Sequence, residues 1–264
     1  MASPLHRTTT RILDILEHVA QSPEGITLSE LARKLDIPKS SLHPLANTLS
    51  EKQYLNYNKL EERYYLGENL FVLGNTYVSY SDLLEKIKSI LLGINEKTEE
   101  TLYFGVLSNL DVLYLEKMEL HSKFRVVSNP GNKLPAYSTG YGKALLSQFT
   151  SEEIESFYPE GNLEPVTEHT IQTVSELNDQ LAQIRESGFS YEIEESTIGI
   201  RCIAVPIVVH GETLAGMSLA VPVFRYSKEK EEQFKTLLLN AKRAIESIIA
   251  DDRKHWIYSK GKKQ

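Results

Sequence analysis

Apolar positions recur at helical spacing twice in quick succession near the start of the chain. Leu28, Leu31, Ala32 and Leu35 form one stripe; Leu42, Leu45, Ala46 and Leu49 form a second. The first is opened by Thr27-Leu28-Ser29-Glu30, a capping box in which the Thr hydroxyl and the Glu carboxylate satisfy orphan amides at a helix start. Asp36-Ile37-Pro38 separates the two and reads as a sharp turn, because proline biases the residue before it away from helical angles. The second helix is expected from about Lys39 to Lys52, with Ser40, His43, Asn47 and Ser50 on its outer face. Two short β-prone runs follow, 53–57 and 62–66, around Asn58-Lys59-Leu60-Glu61. Helix, tight turn, helix, hairpin is the pattern of a winged helix-turn-helix, whose second helix enters a major groove of DNA.

Farther along, Leu70, Leu73 and Tyr77, and then Leu84, Ile87, Leu91 and Ile94, keep helical spacing, with a boundary expected near Tyr80-Ser81-Asp82. Residues 101–107 and 112–118 read as paired strands and 124–128 as another. Thr150 with Glu153 and Thr173 with Glu176 repeat the capping-box signature, and Gly188 is placed to end the second of these helices. The final hairpin, 200–209 and 214–221 around His210-Gly211-Glu212, is asymmetric. One face carries Cys202, Ala204, Pro206, Gly216, Ser218 and Ala220; the other carries Ile203, Val205, Ile207, Val209, Met217, Leu219 and Val221. The bulky face is expected to pack helices. The small face either borders a hollow or receives a large side chain or helix, and alternation alone leaves both open. A last helix runs from Ser227 to about Asp252.

Composition adds exclusions. At 264 residues, with 41% hydrophobic and 25% charged residues, the chain has the profile of a soluble protein of about two domains. No apolar run is long enough for a membrane span, no signal peptide is recognisable, and no cluster has zinc-ligand spacing. The single Cys202 precludes an internal disulfide and fits a cytoplasmic setting. Charge sits less easily with DNA: residues 1–77 hold eight basic against nine acidic side chains, and the whole chain has a formal charge of −7. The usual basic footprint is missing. Phosphate contacts then fall to local cations such as Arg11, Lys39 and Arg63, and affinity requires two heads acting together.

Several segments, in order, resemble the IclR (isocitrate lyase regulator) family of bacterial transcription factors. They are Ile37-Pro38-Lys39-Ser40-Ser41-Leu42-His43, Arg63-Tyr64-Tyr65-Leu66-Gly67, Leu134-Pro135 through Gly142-Lys143-Ala144-Leu145-Leu146, Gly188-Phe189-Ser190-Tyr191 with Glu194-Glu195, and residues 199–207. The resemblance implies an α+β protein: a winged helix-turn-helix over 1–66, a linker helix over 67–81, and a GAF-like α/β effector-binding domain over 82–254, followed by a basic tail at 255–264. It implies a DNA-binding regulator, in the first instance a repressor, controlled by a small molecule and assembled as a homodimer or a dimer of dimers (a homotetramer). The near-neutral head adds the expectation of a palindromic operator in double-stranded DNA, and the Gly-bearing loop from Ser138 to Tyr141 that of a small organic acid as effector. No cofactor, metal or membrane partner is expected. Two departures stand out in the head. Pro44 occupies a position where the family commonly has Arg, which points to a helix that starts late, around Ser40, or is kinked. The wing lacks its usual Gly and carries Glu61-Glu62.

Candidate DNA contacts are Lys39, Ser40, Ser41, His43, Asn47, Arg63 and Arg11. For the effector, Ser138, Thr139, Gly140 and Tyr141 lie in a Gly-bearing loop entering a helix, where free amides and the helix dipole favour an anion. The resemblance adds Glu192, Cys202, Ser218 and Ala220 to Gly140 and Tyr141. Tyr141 stands where the family has a small residue, Glu192 where it has Asp, and Ala220 where it has Ser. Acid–base chemistry would have to come from Glu192, Glu194, Glu195 and Cys202, with no His or Asn identifiable beside the thiol, so no enzyme is expected. A ligand-blind repressor, with Tyr141 filling the hollow, is the remaining alternative.

Overall fold

A computed structural model describes residues 5–79, 82–119 and 131–256. The chain divides into two compact units between Tyr80 and Ser81. The expected strand at 124–128 lies outside the described residues.

In the first unit, α1 (Arg7–Ala20) is followed by β1 (Ile26–Thr27), α2 (Leu28–Leu35), α3 (Lys39–Glu51), β2 (Leu55–Asn58), β3 (Arg63–Leu66) and α4 (Glu68–Ser79). The capping box at Thr27 is complete: Glu30 N–H donates to Thr27 Oγ1 at 3.2 Å, and Thr27 N–H donates to Glu30 Oε2 at 2.8 Å. Asp36 ends α2 in the left-handed conformation, which turns the chain into α3 within three residues. Ile15, Leu31, Leu42, Ala46, Leu49, Leu55 and Tyr64 close a small core between the helices and a three-stranded antiparallel sheet of order β1-β3-β2. At about 2 kcal/mol per buried leucine-sized side chain, this core fixes α3 with its Ser40/His43/Asn47 face outward. The helix does not start late, around Ser40, and it carries Pro44 in its interior. It begins at Lys39, behind Pro38, and continues through Glu51. Pro44 is exposed on the outer side, where the Ser40 carbonyl that loses its N–H partner can turn to solvent.

The second unit contains α5 (Asp82–Thr98), β4 (Thr101–Ser108), β5 (Asp111–Met118), β6 (Lys133–Pro135), α6 (Gly140–Leu146), α7 (Ser151–Phe157), α8 (Val174–Ser187), β7 (Ser190–Ile193), β8 (Ile200–Val209), β9 (Glu212–Pro222) and α9 (Lys228–Asp251). Its strands form one antiparallel sheet of order β6-β5-β4-β9-β8-β7. Both remaining capping boxes form, Gly188 ends α8 at φ 76°, and positive φ at His210 and Gly211 closes the β8–β9 hairpin. The bulky strand face (Ile203, Val205, Ile207, Met217, Leu219) packs against α5 and α9. The small face is covered by α6, with α7 and α8 completing that layer, so of the two alternatives the helix and its Tyr141 take the space.

Two details go beyond what the sequence pattern carries. A register shift between Phe104 and Gly105 leaves Leu115 as a β-bulge, so Tyr114 faces the α6 layer while Met118, on the same strand, faces α5 and α9. Trp256, inside the stretch read from sequence as a basic tail, is buried edge-on against Phe104 at 6.4 Å.

Candidate functional site

The head presents Lys39, Ser40, Ser41, His43 and Asn47 exposed on one side of α3, and Asn47 Nδ2 donates to Glu51 Oε1 at 3.1 Å. Arg11 is half-buried on α1. A groove of about 680 Å³ runs between this face and the wing, with His43, Asn47, Asn56, Tyr57 and Lys59 among its walls. Arg63 is committed elsewhere: its Nη1 donates to the Gly25 carbonyl at 2.7 Å and stands 3.7 Å from Glu30. It ties β3 to the start of α2. Hydrogen bonds from the Thr27 amide and hydroxyl hold the Glu30 carboxyl below its usual range. On the wing, Tyr65 donates to Glu61 at 2.6 Å, engaging one of the two acids that would repel phosphate. Leu66-Gly67 is explained by packing: Gln53 and Tyr54 backbone lies where any Cβ on Gly67 would fall.

In the second unit, hydrogen-bonded registers bring the candidate residues into rows. Thr101, Ala220, Cys202 and Glu192 lie side by side across β4, β9, β8 and β7; Tyr103, Ser218, Ala204 and Ser190 form the next row. Side chains in these rows share the face covered by α6. Small residues are required there because the helix start presses on the sheet: a Cβ on Gly140 would stand 3.1 Å from that of Cys202. Thr139 caps α6, accepting from Gly142 N–H at 3.2 Å.

What remains open is a cavity of about 20 Å³, room for roughly one water. Of the effector residues named from sequence, Thr139, Gly140, Tyr141, Cys202, Ser218 and Ala220 line it. Ser138 and Glu192 do not. Ser138 is turned to the Pro135 carbonyl at 2.9 Å. Glu192 is wholly buried behind Cys202, with Oε1 accepting from Ser196 N–H at 2.9 Å and Oε2 without a hydrogen-bond partner among the described residues. Sequence reasoning missed Tyr103, Tyr114, Ser196, Thr197 and Ile200. Tyr103 was within reach, since it alternates with Gly105 on β4; Tyr114 was not, since the bulge decides its face.

Burial sets the electrostatics. The hydroxyls of Tyr103 and Tyr141 are pushed far up, chiefly by desolvation, so both are protonated donors. Each is buried and has no hydrogen-bond partner of normal geometry among the described residues, while the neighbouring Tyr114 hydroxyl adds to the rise at Tyr141. Tyr114 stands edge-on to both rings, at 5.0 Å from Tyr103 and 5.3 Å from Tyr141. The Cys202 thiol is raised by burial and then by Glu192, which argues against a nucleophile. Glu192 itself is raised by burial, as is Glu195, whose desolvation outweighs the opposing pull of Lys143. The fully buried Lys143 donates to Glu195 Oε1 and Gln180 Oε1, each at 2.6 Å. Among the described residues no His, Cys, Asp and Glu cluster could hold a metal ion, and no helix is long and apolar enough to cross a membrane.

Comparisons with known proteins agree with this geometry. Residues 8–59 match the family model of the IclR helix-turn-helix domain, and residues 75–247 match that of the C-terminal part of bacterial transcriptional regulator IclR. The chain is 32% identical over 240 residues to the HTH-type transcriptional regulator BhcR of Paracoccus denitrificans, a match covering 90% of this chain and 86% of that protein. It is 27% identical over 242 residues to the transcriptional repressor IclR of Escherichia coli, covering 90% and 88% respectively. Among solved structures, the IclR of Thermotoga maritima is similar with a TM-score of 0.72 and 27% identity, over 92% of this chain and 99% of that one.

Proposed function

Because this chain belongs to the IclR family of bacterial transcriptional regulators, we propose that it is a repressor whose grip on its operator is set by a small organic acid bound beneath α6. That it is a DNA-binding transcriptional regulator and not an enzyme follows from the family. In the reading advanced here, α3 enters a major groove with Ser40, Ser41, His43 and Asn47 toward the bases, and Lys39 and Arg11 meet phosphate. Arg63, at the base of the wing, chiefly braces the start of α2 and supports the contact face rather than meeting phosphate itself. The near-neutral head favours a palindromic operator read by two heads at once. The exposure of Phe71 (71%) and Leu73 (53%) on α4 supports self-association through the DNA-binding unit as a homodimer, with a dimer of dimers beyond it.

The observation that carries the effector reading is a small cavity bordered by the buried hydroxyls of Tyr103 and Tyr141, which have no partner of normal geometry among the described residues, because such groups are rare in folded proteins unless a partner completes them. A second reading has its own support. Tyr141 packs between Gly105 and Gly216 and leaves almost no room, as a ligand-blind repressor would. Thermal-shift screening of the purified chain against small carboxylates separates the two. A ligand at 100 times its Kd adds about 2.7 kcal/mol to the unfolding free energy of the state it binds. Stabilisation by an acid that also changes DNA affinity, read by fluorescence anisotropy on the promoter fragment, supports the sensor. No shift across the panel supports the filled pocket.

A further inference from the structure

We propose that Pro44 sets a base preference in the operator. Its ring packs on a thymine methyl in the major groove, and the Ser40 carbonyl that it deprives of a helical donor accepts the exocyclic amino group of an adenine or cytosine. The assignment rests on the reading of α3 as the groove-entering helix and names what two groups of that helix would recognise.

Position carries the first part of the argument. Leu42, Ala46 and Leu49 are buried on one side of α3. At about 3.6 residues per turn, Ser40, Pro44, Asn47 and Glu51 fall on the opposite side, and all four are exposed. Pro44 therefore lies in the middle of the outward face, with Ser40 one turn before it and Asn47 one turn after it. Polar neighbours surround the ring. Asn47 Nδ2 donates to Glu51 Oε1 at 3.1 Å, and Thr48 Oγ1 donates to the Pro44 carbonyl at 2.9 Å.

Chemistry carries the second part. A proline inside a helix costs about 3 kcal/mol. Burial could offset that cost, but Pro44 is exposed and takes no part in the core of the head. Folding gives no reason for a proline at this place, whereas a contact made on DNA does. The ring has no charge, hydroxyl or N–H, so it neither binds phosphate nor donates to a base edge. The apolar group that base edges present in the major groove is the thymine methyl. The missing N–H also frees the Ser40 carbonyl, which points along the helix toward Pro44. Water satisfies this oxygen in the free protein. In the groove that water is displaced, and an uncompensated carbonyl is costly. Adenine N6 and cytosine N4 are the base donors available there, and guanine offers acceptors only. Ring and carbonyl lie side by side, so they read the same base pair or neighbouring ones.

The test begins with selection of duplexes from a randomised library by the full chain. Each thymine of the selected half-site is then replaced by deoxyuridine, in both half-sites at once, which removes only the methyl group. Adenines and cytosines are likewise replaced by analogues lacking the exocyclic amino group. Anisotropy titrations compare the parent with Pro44→Ser and Pro44→Gly, both better tolerated inside a helix than proline, and with Lys39→Ala as a control. Melting curves show that each variant is folded. At one thymine the parent and Lys39→Ala are expected to lose about tenfold in affinity, as for two buried methyl groups, while the Pro44 variants stay within about twofold. At that base pair or its neighbour, loss of an amino group is expected to weaken the parent more than the Pro44 variants. Parallel losses in parent and Pro44 variants at every thymine, or a selected half-site without thymine, overturn the methyl contact while leaving operator binding standing. Parallel losses throughout the amino-deleted series overturn the carbonyl contact. If the parent enriches no duplex, the operator reading fails and the assignment fails with it.

Discussion

A Cβ placed on Gly216 would stand 3.0 Å from the Cβ of Tyr141, closer than nearly all real contacts of that kind. On the next strand, a Cβ on Gly105 would meet the Tyr141 ring at the same distance. The phenol is thus a knob seated on two glycines. Its size is compatible with the fold only because the sheet beneath it has been emptied.

Gly216→Ala is accordingly expected to destabilise the second unit by about 1–3 kcal/mol through overpacking. Tyr141→Ala should lower stability by about 3–5 kcal/mol while enlarging the cavity, so that bulkier acids are admitted. Urea unfolding of both variants, followed by ligand screening of the second, checks the pair. A stability for Gly216→Ala equal to that of the parent would show that the ring can move aside.

Tyr103→Phe is expected to raise stability in the absence of ligand. Removing a buried hydroxyl that has no hydrogen-bond partner among the described residues recovers its desolvation penalty, about 1–3 kcal/mol. Calorimetry of the ligand-free protein measures it. A lower melting temperature would mean that the hydroxyl has a partner in solution.

Glu192 should make the fold sensitive to alkali. Its pKa is raised in the folded chain, first by burial, so the folded state holds a proton that the unfolded chain releases. The stability it contributes is complete below the ordinary carboxylate range and is lost as pH climbs from there through the raised value. Glu192→Gln, whose carbonyl can still accept from Ser196 N–H, is expected to flatten that fall and to be the more stable protein at pH 8. Parallel pH dependence in the two proteins would assign the slope to Glu195, the other buried carboxyl raised by desolvation.

Lys39→Ala and Arg63→Ala should separate on DNA. Lys39 is exposed, so its loss should weaken operator binding and flatten the dependence on salt by about one counterion. Arg63 is tied to Gly25 and Glu30, and its loss should chiefly lower the stability of the head, by about 1 kcal/mol, with the salt slope little altered. Anisotropy titrations at several salt concentrations, together with melting curves, distinguish the two. A full unit lost from the slope with Arg63→Ala would place that guanidinium on phosphate.

Pro44→Ala is expected to stabilise the head. Pro44 sits past the first turn of α3, so the Ser40 carbonyl lacks its helical donor. Restoring the amide should recover up to about 3 kcal/mol. An unchanged melting temperature would indicate that the local relaxation around Pro44 costs nothing.

Local patterns determined much of this protein. The three capping boxes, the Asp36 and Gly188 helix ends, the winged helix-turn-helix and the two unequal faces of the last hairpin are all set by residues a few positions apart. Tertiary structure decided what such spacing does not carry. Alternation showed that the face of Cys202 and Ser218 is small, but only the seating of α6 showed that the space is taken by Tyr141. The strand pattern of β5 predicted nothing about Tyr114, because one bulged residue, Leu115, reverses which face it joins. Glu192 and Ser138 had the right chemistry at the right distance along the chain. Glu192 nevertheless lies behind Cys202, and the Ser138 hydroxyl turns to Pro135, so neither borders the cavity. Arg63 has the sequence position of a wing cation, but its bond to the Gly25 carbonyl, 38 residues away, is a product of tertiary packing. A sequence fixes local hydrogen bonds and periodicity directly; which polar groups end up buried together depends on strand register and helix seating, and those are settled only when distant segments pack.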